Sequence, residues 1–289
     1  MNANGPAGDR DDANPDLRAT DDERRMVADE LAAALGRGQL ELGEFEQRTE
    51  AVWAGRTRLL KGIDANKDQS YFLHAVPEVA IARTLFPLGE LEKTAVRAIA
   101  ERHDLVTARK KDSTGICFIG ERRFRDFLQQ YLPAQPGVIE TPEGEVIGKH
   151  MGLMYYTLGQ RQGLGIGGLA NHPEAPWYVA DKNLERNVLI AVQGKHHPLL
   201  YTDSLATEAV DWIAGEPPAA AGHFTAKTRY RQADVPCHMR TLPDGGVEVR
   251  FDTPQRAVTP GQSLVLYDGE ICLGGGVIHT TWNATERAA

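Results

Sequence analysis

Cysteine is scarce. The 289 residues contain three, Cys117, Cys237 and Cys272. No two form a CxxC pair, so neither a disulfide framework nor a cysteine zinc site is indicated. No run approaches the ~18 apolar residues of a membrane span. The first twenty residues are rich in Asp, Asn, Gly and Pro and hold no apolar segment of the kind a secretory signal needs. These absences point to the cytoplasm and away from a membrane. A paired set of metal ligands is also missing from the linear sequence. His196 and His197 are adjacent, and adjacent positions on a strand face opposite ways. His150 and His172 are scattered, so no metal site is read. Gly163-Leu164-Gly165-Ile166-Gly167-Gly168 fits G-x-G-x-x-G, but no strand precedes it in a βαβ unit and no acidic residue follows at the required distance. It reads as a flexible glycine loop rather than a dinucleotide site.

Hydrophobic residues make up 42% and charged residues 25%, enough apolar material for two or three small cores. The net charge of −8 argues at first against nucleic acid. The charge is uneven, however: residues 1–58 carry −5 and the remaining residues −3. The larger part is nearly balanced and can present a basic face.

Residues 1–15 read as a disordered polar leader. Thr20-Asp21-Asp22-Glu23 is a capping box for a helix with Val27, Leu31 and Leu35 on one face. Gly36-Arg37-Gly38 ends it, and Leu42, Phe45, Thr49 and Val52 mark a second helix. From Leu59 the texture changes without a linker. A loop from Gly62 leads into a helix near Ser70, and Leu91 to His103 reads as another helix, with Val96, Ile99 and Ala100 on its buried side. Phe124, Phe127, Leu128, Tyr131 and Leu132 mark a third. Beyond Pro136 the period shortens towards two: a hairpin at Val138–Ile147, a short helix at Tyr155–Gln162, and strands at Trp177–Val179 and Asn187–Val192. Strands recur at Phe224–Tyr230, Val235–Thr241, Val247–Phe251, Ser263–Tyr267 and Ile271–Ile278. Asp244-Gly245 and Asp268-Gly269 lie where hairpin turns are needed, and the spacing suggests a small barrel.

Three stretches can carry chemistry. Cys117 sits in a glycine-flanked turn behind Lys110-Lys111 and ahead of a helix; cations and a helix N-terminus both favour a thiolate. A small buried hydrophobe is the plainer reading of that thiol. Lys227, Arg229 and Arg231 alternate along one predicted strand, with Tyr230 beside them: cations for phosphates and a ring for an unpaired base. A solvated strand face is the common alternative. Lys67-Asp68-Gln69 offers a donor, an acceptor and an amide at successive loop positions, a cluster able to read base edges.

Longer stretches resemble the bacterial tRNA-specific 2-thiouridylases: NKDQSYFL at Asn66–Leu73, KKDSTGICFIGERRFRDFL at Lys110–Leu128, GLMYYTLGQRQGLGIGG at Gly152–Gly168, AKTRYRQADVPC at Ala226–Cys237, and TPQRAVTPGQSLVLYDGEICLGGGVI at Thr253–Ile278. The resemblance implies an enzyme that replaces O2 of the wobble uridine in certain tRNAs with sulfur. ATP adenylates the oxygen, and a cysteine persulfide, loaded by a sulfur-relay donor protein, delivers the sulfur. It implies that Cys117 is the persulfide carrier and that Lys67, Asp68, Gln69, Arg229 and Tyr230 contact tRNA. Residues 16–58 resemble a different group, the short helical domain DUF1707.

The sequence departs from the thiouridylase pattern in two ways. It contains no Ser-Gly-Gly-Val-Asp-Ser-like loop to cradle ATP phosphates, and no cysteine precedes Cys117 to serve as its partner. The expectation is an α+β multidomain chain. It comprises the leader, a DUF1707-like helical hairpin (16–58), a helical remnant of an α/β ATP-pyrophosphatase domain (59–132), a small central domain (133–203), a C-terminal β-barrel (204–282) and a tail (283–289). This chain alone is expected to be catalytically silent. The alternatives are a tRNA-binding remnant without catalysis and a chimeric gene product. Helices between Ser70 and Leu132 are expected to be loosely packed for want of a parallel sheet.

Overall fold

A computed structural model describes residues 21–45, 48, 58–110, 135–169 and 172–283. Cys117, the helix predicted at Phe124–Leu132, the leader, the tail beyond residue 283 and most of the second hairpin helix lie outside the described residues.

The C-terminal region closes into a barrel. Its strands are β6 (Tyr201–Thr207), β8 (Ala221–Lys227), β9 (Val235–Thr241), β10 (Val247–Arg256), β11 (Ser263–Asp268) and β12 (Ile271–Trp282). They run in the order β12-β11-β8-β9-β10-β6, and β12 then pairs with β6, so no edge of this six-strand ring is left open. Alternation drives the closure. Val247, Val249 and Phe251 point inward against Leu205, Met239, Leu264 and Ile278, while Arg250 and Asp252 face out. The hairpin turns form where expected: Gly245 (φ 84°) joins β9 to β10 and Gly269 (φ 55°) joins β11 to β12.

Two short strands extend the sheet through β12: β7 (Asp211–Trp212) and β1 (Leu59–Leu60). Gly274 makes the first possible. Its φ is 145°, and a Cβ there would stand 2.2 Å from the Asp211 carbonyl oxygen. The second was not expected. Leu59 pairs with Cys272 and Leu60 with Ile271, so the chain enters the barrel sheet far upstream of its main strands.

Three helices follow β1: α2 (Ser70–Leu73), α3 (Glu78–Ala82) and α4 (Lys93–Arg102), after the N-terminal α1 (Asp21–Gly36). Tyr71 on α2 and Ile81 on α3 are buried in one cluster with Leu59, Val265, Tyr267 and Cys272. The barrel therefore supports these two helices, which corrects the expectation of loose packing for this part. α4 is different, because it buries no residue. Val96 and Ala100 are only half-buried and Ile99 is exposed, against the buried side expected for them. Its N-terminus is held from a distance: the Asp64 carboxylate accepts the Lys93 N–H at 3.0 Å. That hydrogen bond and another from the Asn66 N–H hold the Asp64 carboxyl below its ordinary range.

The central region is a four-stranded sheet in the order β3-β2-β5-β4, with β2 (Gly137–Glu140), β3 (Val146–His150), β4 (Trp177–Asn183) and β5 (Val188–Gln193). Ile139, Ile147, Val179 and Leu189 form its core. Buried Glu140 accepts two hydrogen bonds from one Arg186 guanidinium nitrogen, at 3.0 and 2.9 Å, which ties the β4–β5 turn to β2. His150 is fully buried and satisfied. Its Nε2 donates to the Asn187 carbonyl (3.0 Å) and its Nδ1 accepts from the Gly152 N–H (3.1 Å). The short helix predicted at Tyr155–Gln162 is instead one 3-10 turn, Leu153–Tyr155, followed by turns through Gly159 (φ 75°). His196 and His197 lie in a turn rather than on a strand; His197 caps the 3-10 turn Pro198–Leu200 through Nδ1.

Candidate nucleic-acid interface

The fold brings Lys67-Asp68-Gln69 and Arg229-Tyr230 together. Gln69 Nε2 donates to the Tyr230 hydroxyl at 2.8 Å across 161 positions of sequence. The loop before α2 supplies the amide, and the turn after β8 supplies the ring. Phe72, one helical turn beyond Gln69, stacks tilted on Tyr230 with centroids 4.6 Å apart and is 55% exposed. The Arg231 guanidinium lies 5.2 Å from the same ring. The result is an exposed aromatic step flanked by cations, which suits stacking on an unpaired base beside a phosphate backbone.

The turn also corrects a sequence expectation. Alternation predicts Lys227, Arg229 and Arg231 on one strand face, but β8 ends at Lys227. Thr228 to Arg231 form a turn with Arg231 left-handed (φ 63°), stabilised by the Gln232 side-chain oxygen accepting from the Thr228 N–H and hydroxyl. Arg229 and Arg231 are exposed, and Arg229 donates to the Arg256 carbonyl at 3.0 Å. Lys227 turns inward.

Beneath this surface lies a desolvated polar cluster. Asp68 is 6% exposed. Its carboxylate accepts the Gly62 N–H (3.2 Å), the Ser70 N–H (3.0 Å) and the Ser70 hydroxyl (2.9 Å), and Lys227 Nζ stands 3.6 Å away. Of the Lys67-Asp68-Gln69 triplet, Asp68 thus points into the protein while exposed Gln69 points at Tyr230. Ser70 also bonds the hydroxyl of fully buried Tyr267 at 3.2 Å. Lys61 and Lys227 both lie over the Tyr267 ring, 4.6 and 5.0 Å from its centroid, and both pair with Asp234. Two lysines, two aspartates and an aromatic face balance one another, which offsets the cost of burying Asp68 and the lysine head groups while Asp234 stays partly in water. Burial pushes the Tyr267 hydroxyl well above its ordinary range, so it stays protonated. Phe72 was not singled out from the sequence, although its place one helical turn from Gln69 is a signal that could have found it. Lys61 and Tyr267 offered no such signal, because nothing local distinguishes them.

The other sequence candidates separate cleanly. Cys237 and Cys272 are buried, and burial pushes both thiols up to about 12, so neither is a nucleophile. The glycine loop is held at its apolar positions: Leu164 is buried and Ile166 packs on the central core. Among the described residues no strand leads into it and no helix leaves it, which is not the strand–loop–helix setting of a dinucleotide site. No described helix is long and apolar enough to cross a membrane.

Comparison with known proteins defines the class first. Residues 14–121 match the tRNA methyl transferase HUP domain, 125–193 the tRNA methyl transferase PRC-barrel domain, and 202–278 the aminomethyltransferase β-barrel domain. The HUP match runs through residues 16–58, the stretch predicted as a separate hairpin. Full-length relatives then fix the family. The tRNA-specific 2-thiouridylase MnmA of Chromohalobacter salexigens is 74% identical over 274 residues, which are 94% of this chain and 71% of that protein. Those of Marinobacter nauticus and Pseudomonas syringae pv. syringae are 62% and 58% identical, with the match covering 70% and 73% of their lengths. The chain belongs to the tRNA-specific 2-thiouridylase family.

Proposed function

We propose that this chain acts on tRNA as a uridine 2-sulfurtransferase, binding the RNA through Lys67, Gln69, Phe72, Arg229 and Tyr230. The Gln69–Tyr230 hydrogen bond carries the reading: it unites two motifs, distant in sequence, into one exposed aromatic and basic surface. Asp68 serves that surface from below by fixing the loop. Cys117 is the sulfur carrier, supported by the burial of Cys237 and Cys272. The sulfane sulfur of its persulfide bonds to C2 of the uridine as AMP leaves with the oxygen derived from O2. A second thiol then releases the sulfur–sulfur bond. Cys237 and Cys272 are too buried to supply that thiol. ATP and the persulfide donor protein enter as co-substrate and partner. The family identity over 94% of the chain outweighs the methyl-transfer wording of two domain descriptions.

A second reading, tRNA binding without turnover, is favoured by the Gln69–Tyr230 surface itself, which can hold RNA without a thiol taking part. One assay separates them. Purified protein is incubated with unmodified tRNA, ATP, a persulfide donor and excess small thiol, and the nucleosides are analysed by mass spectrometry. ATP-dependent 2-thiouridine that disappears in Cys117→Ser supports sulfur transfer. Salt-sensitive binding weakened by Tyr230→Ala, with no thiolated product, supports the second reading. Methylated uridine in place of thiolated uridine would overturn both.

A further inference from the structure

We infer that the outer face of the barrel carries a zinc-type divalent metal site made of His223, His238 and Asp252. The three residues come from three adjacent strands, β8, β9 and β10. His223 and His238 are directly opposite partners in the β8–β9 ladder. Asp252 follows Phe251, which pairs with Cys237, so it faces out on the same side as His238. His223 Nε2 stands 3.1 Å from Asp252 Oδ2, and His238 Nε2 stands 3.7 Å from Oδ1. One ligand atom from each residue lies within 4.8 Å of the other two. Zinc bonds of ~2.0–2.1 Å in a tetrahedron set its ligand edges at about 3.4 Å. The two nitrogen–oxygen distances run to different carboxylate oxygens, and with one ligand atom from each residue already within 4.8 Å of the others, rotation of the exposed side chains suffices to bring both nitrogens and one oxygen onto a single ion.

The donor set is the chemistry a borderline cation selects: two imidazoles and one carboxylate, with a fourth position open to water. Magnesium and calcium, which require oxygen ligands, are poorly matched. The imidazole rings already face one another, with centroids 4.8 Å apart. Exposed Arg250, directly opposite His238 on β10, adds a positive charge near the site and moderates its affinity. An ion here would clip β8 to β9 and β10. β8 ends at Lys227, three residues before Tyr230, so the clip would steady the strand that feeds the tRNA-facing turn.

The test uses the full chain, stripped with chelator and titrated with zinc chloride by calorimetry, beside His223→Ala/His238→Ala and Asp252→Asn. All three positions are exposed, so the variants keep the barrel core. The expected result is one equivalent of zinc bound by the parent that the double variant lacks, with affinity cut at least about tenfold in Asp252→Asn. Zinc should also raise the parent's melting temperature and leave that of the double variant unchanged. Magnesium should do neither. Equal stoichiometry and affinity in parent and double variant would place the zinc elsewhere and overturn the site, as would no zinc binding by the parent.

Discussion

The segments 59–82 and 93–106 lie in one continuous stretch matched by a single domain model, yet they meet opposite fates. The first is built into the barrel: Leu59 joins its sheet, Tyr71 and Ile81 share its core, and Asp68 and Ser70 enter its polar cluster. The second buries nothing in α4 and leaves Ile99, Leu105 and Val106 exposed. Amphipathic spacing is present in both. What differs is a partner surface, which β12, with its small glycine-rich strand, provides only to the first. A helical pattern states that a face can be buried; another element decides whether it is.

This contrast can be broken by substitution. Asp68→Ala should cost the most, about 3 kcal/mol in urea unfolding. It orphans two backbone N–H groups, takes from the Ser70 hydroxyl one of its two partners, and leaves Lys227 with one carboxylate. Leu59→Ala should cost about 2–3 kcal/mol, as for any buried leucine that leaves a cavity. A loss below about 0.5 kcal/mol there would show that the first segment is not part of the barrel's cooperative unit. Tyr230→Phe should lower tRNA affinity severalfold with little change in stability, because it removes the Gln69 bond and keeps the ring. A stability loss comparable to that of Asp68→Ala would make Tyr230 a packing residue. Ile99→Gln should change stability by less than about 0.5 kcal/mol.

Acid gives a subtler test of the same junction. His74, between α2 and α3, is buried beneath β12, and a Cβ on Gly275 would stand 2.8 Å from its Nδ1. Burial lowers its pKa below the ordinary 6.5, partly opposed by the Asp211 carboxylate. The unfolded chain therefore takes up a proton more readily than the folded one. The stabilising contribution is complete above pH 6.5 and declines as the pH falls towards the folded value. Melting temperature should fall on acidification from pH 7, and His74→Gln should flatten that slope; an unchanged slope would mean that other groups govern it.

Much was legible from local chemistry. Alternating apolar residues and the Asp-Gly turns placed five of the six ring strands, and the hairpin at Val138–Ile147 formed as spaced. Gln69 and Tyr230 were both singled out from sequence. Elements that depend on distant partners were not legible. A two-residue strand has no period, so Leu59-Leu60 could not be recognised. Asp64 caps a helix 29 positions away, beyond any capping-box spacing. The turn at Thr228 overrode a strand pattern because Gln232 offered its backbone an alternative hydrogen bond. His223, His238 and Asp252 escaped a search by sequence spacing because three strands supply one ligand each.

By itself the sequence determined the family, the barrel's inward and outward faces, and which residues carry cations, rings and thiols, since these follow from residue identity and short-range periodicity. Only the tertiary structure decided that Asp68 is a buried support while Gln69 faces Tyr230, that two of three thiols are inert, and that one helical segment packs into the barrel's core while the next buries no side chain. Each of those outcomes depends on which groups share a desolvated space, and only the folded chain determines that.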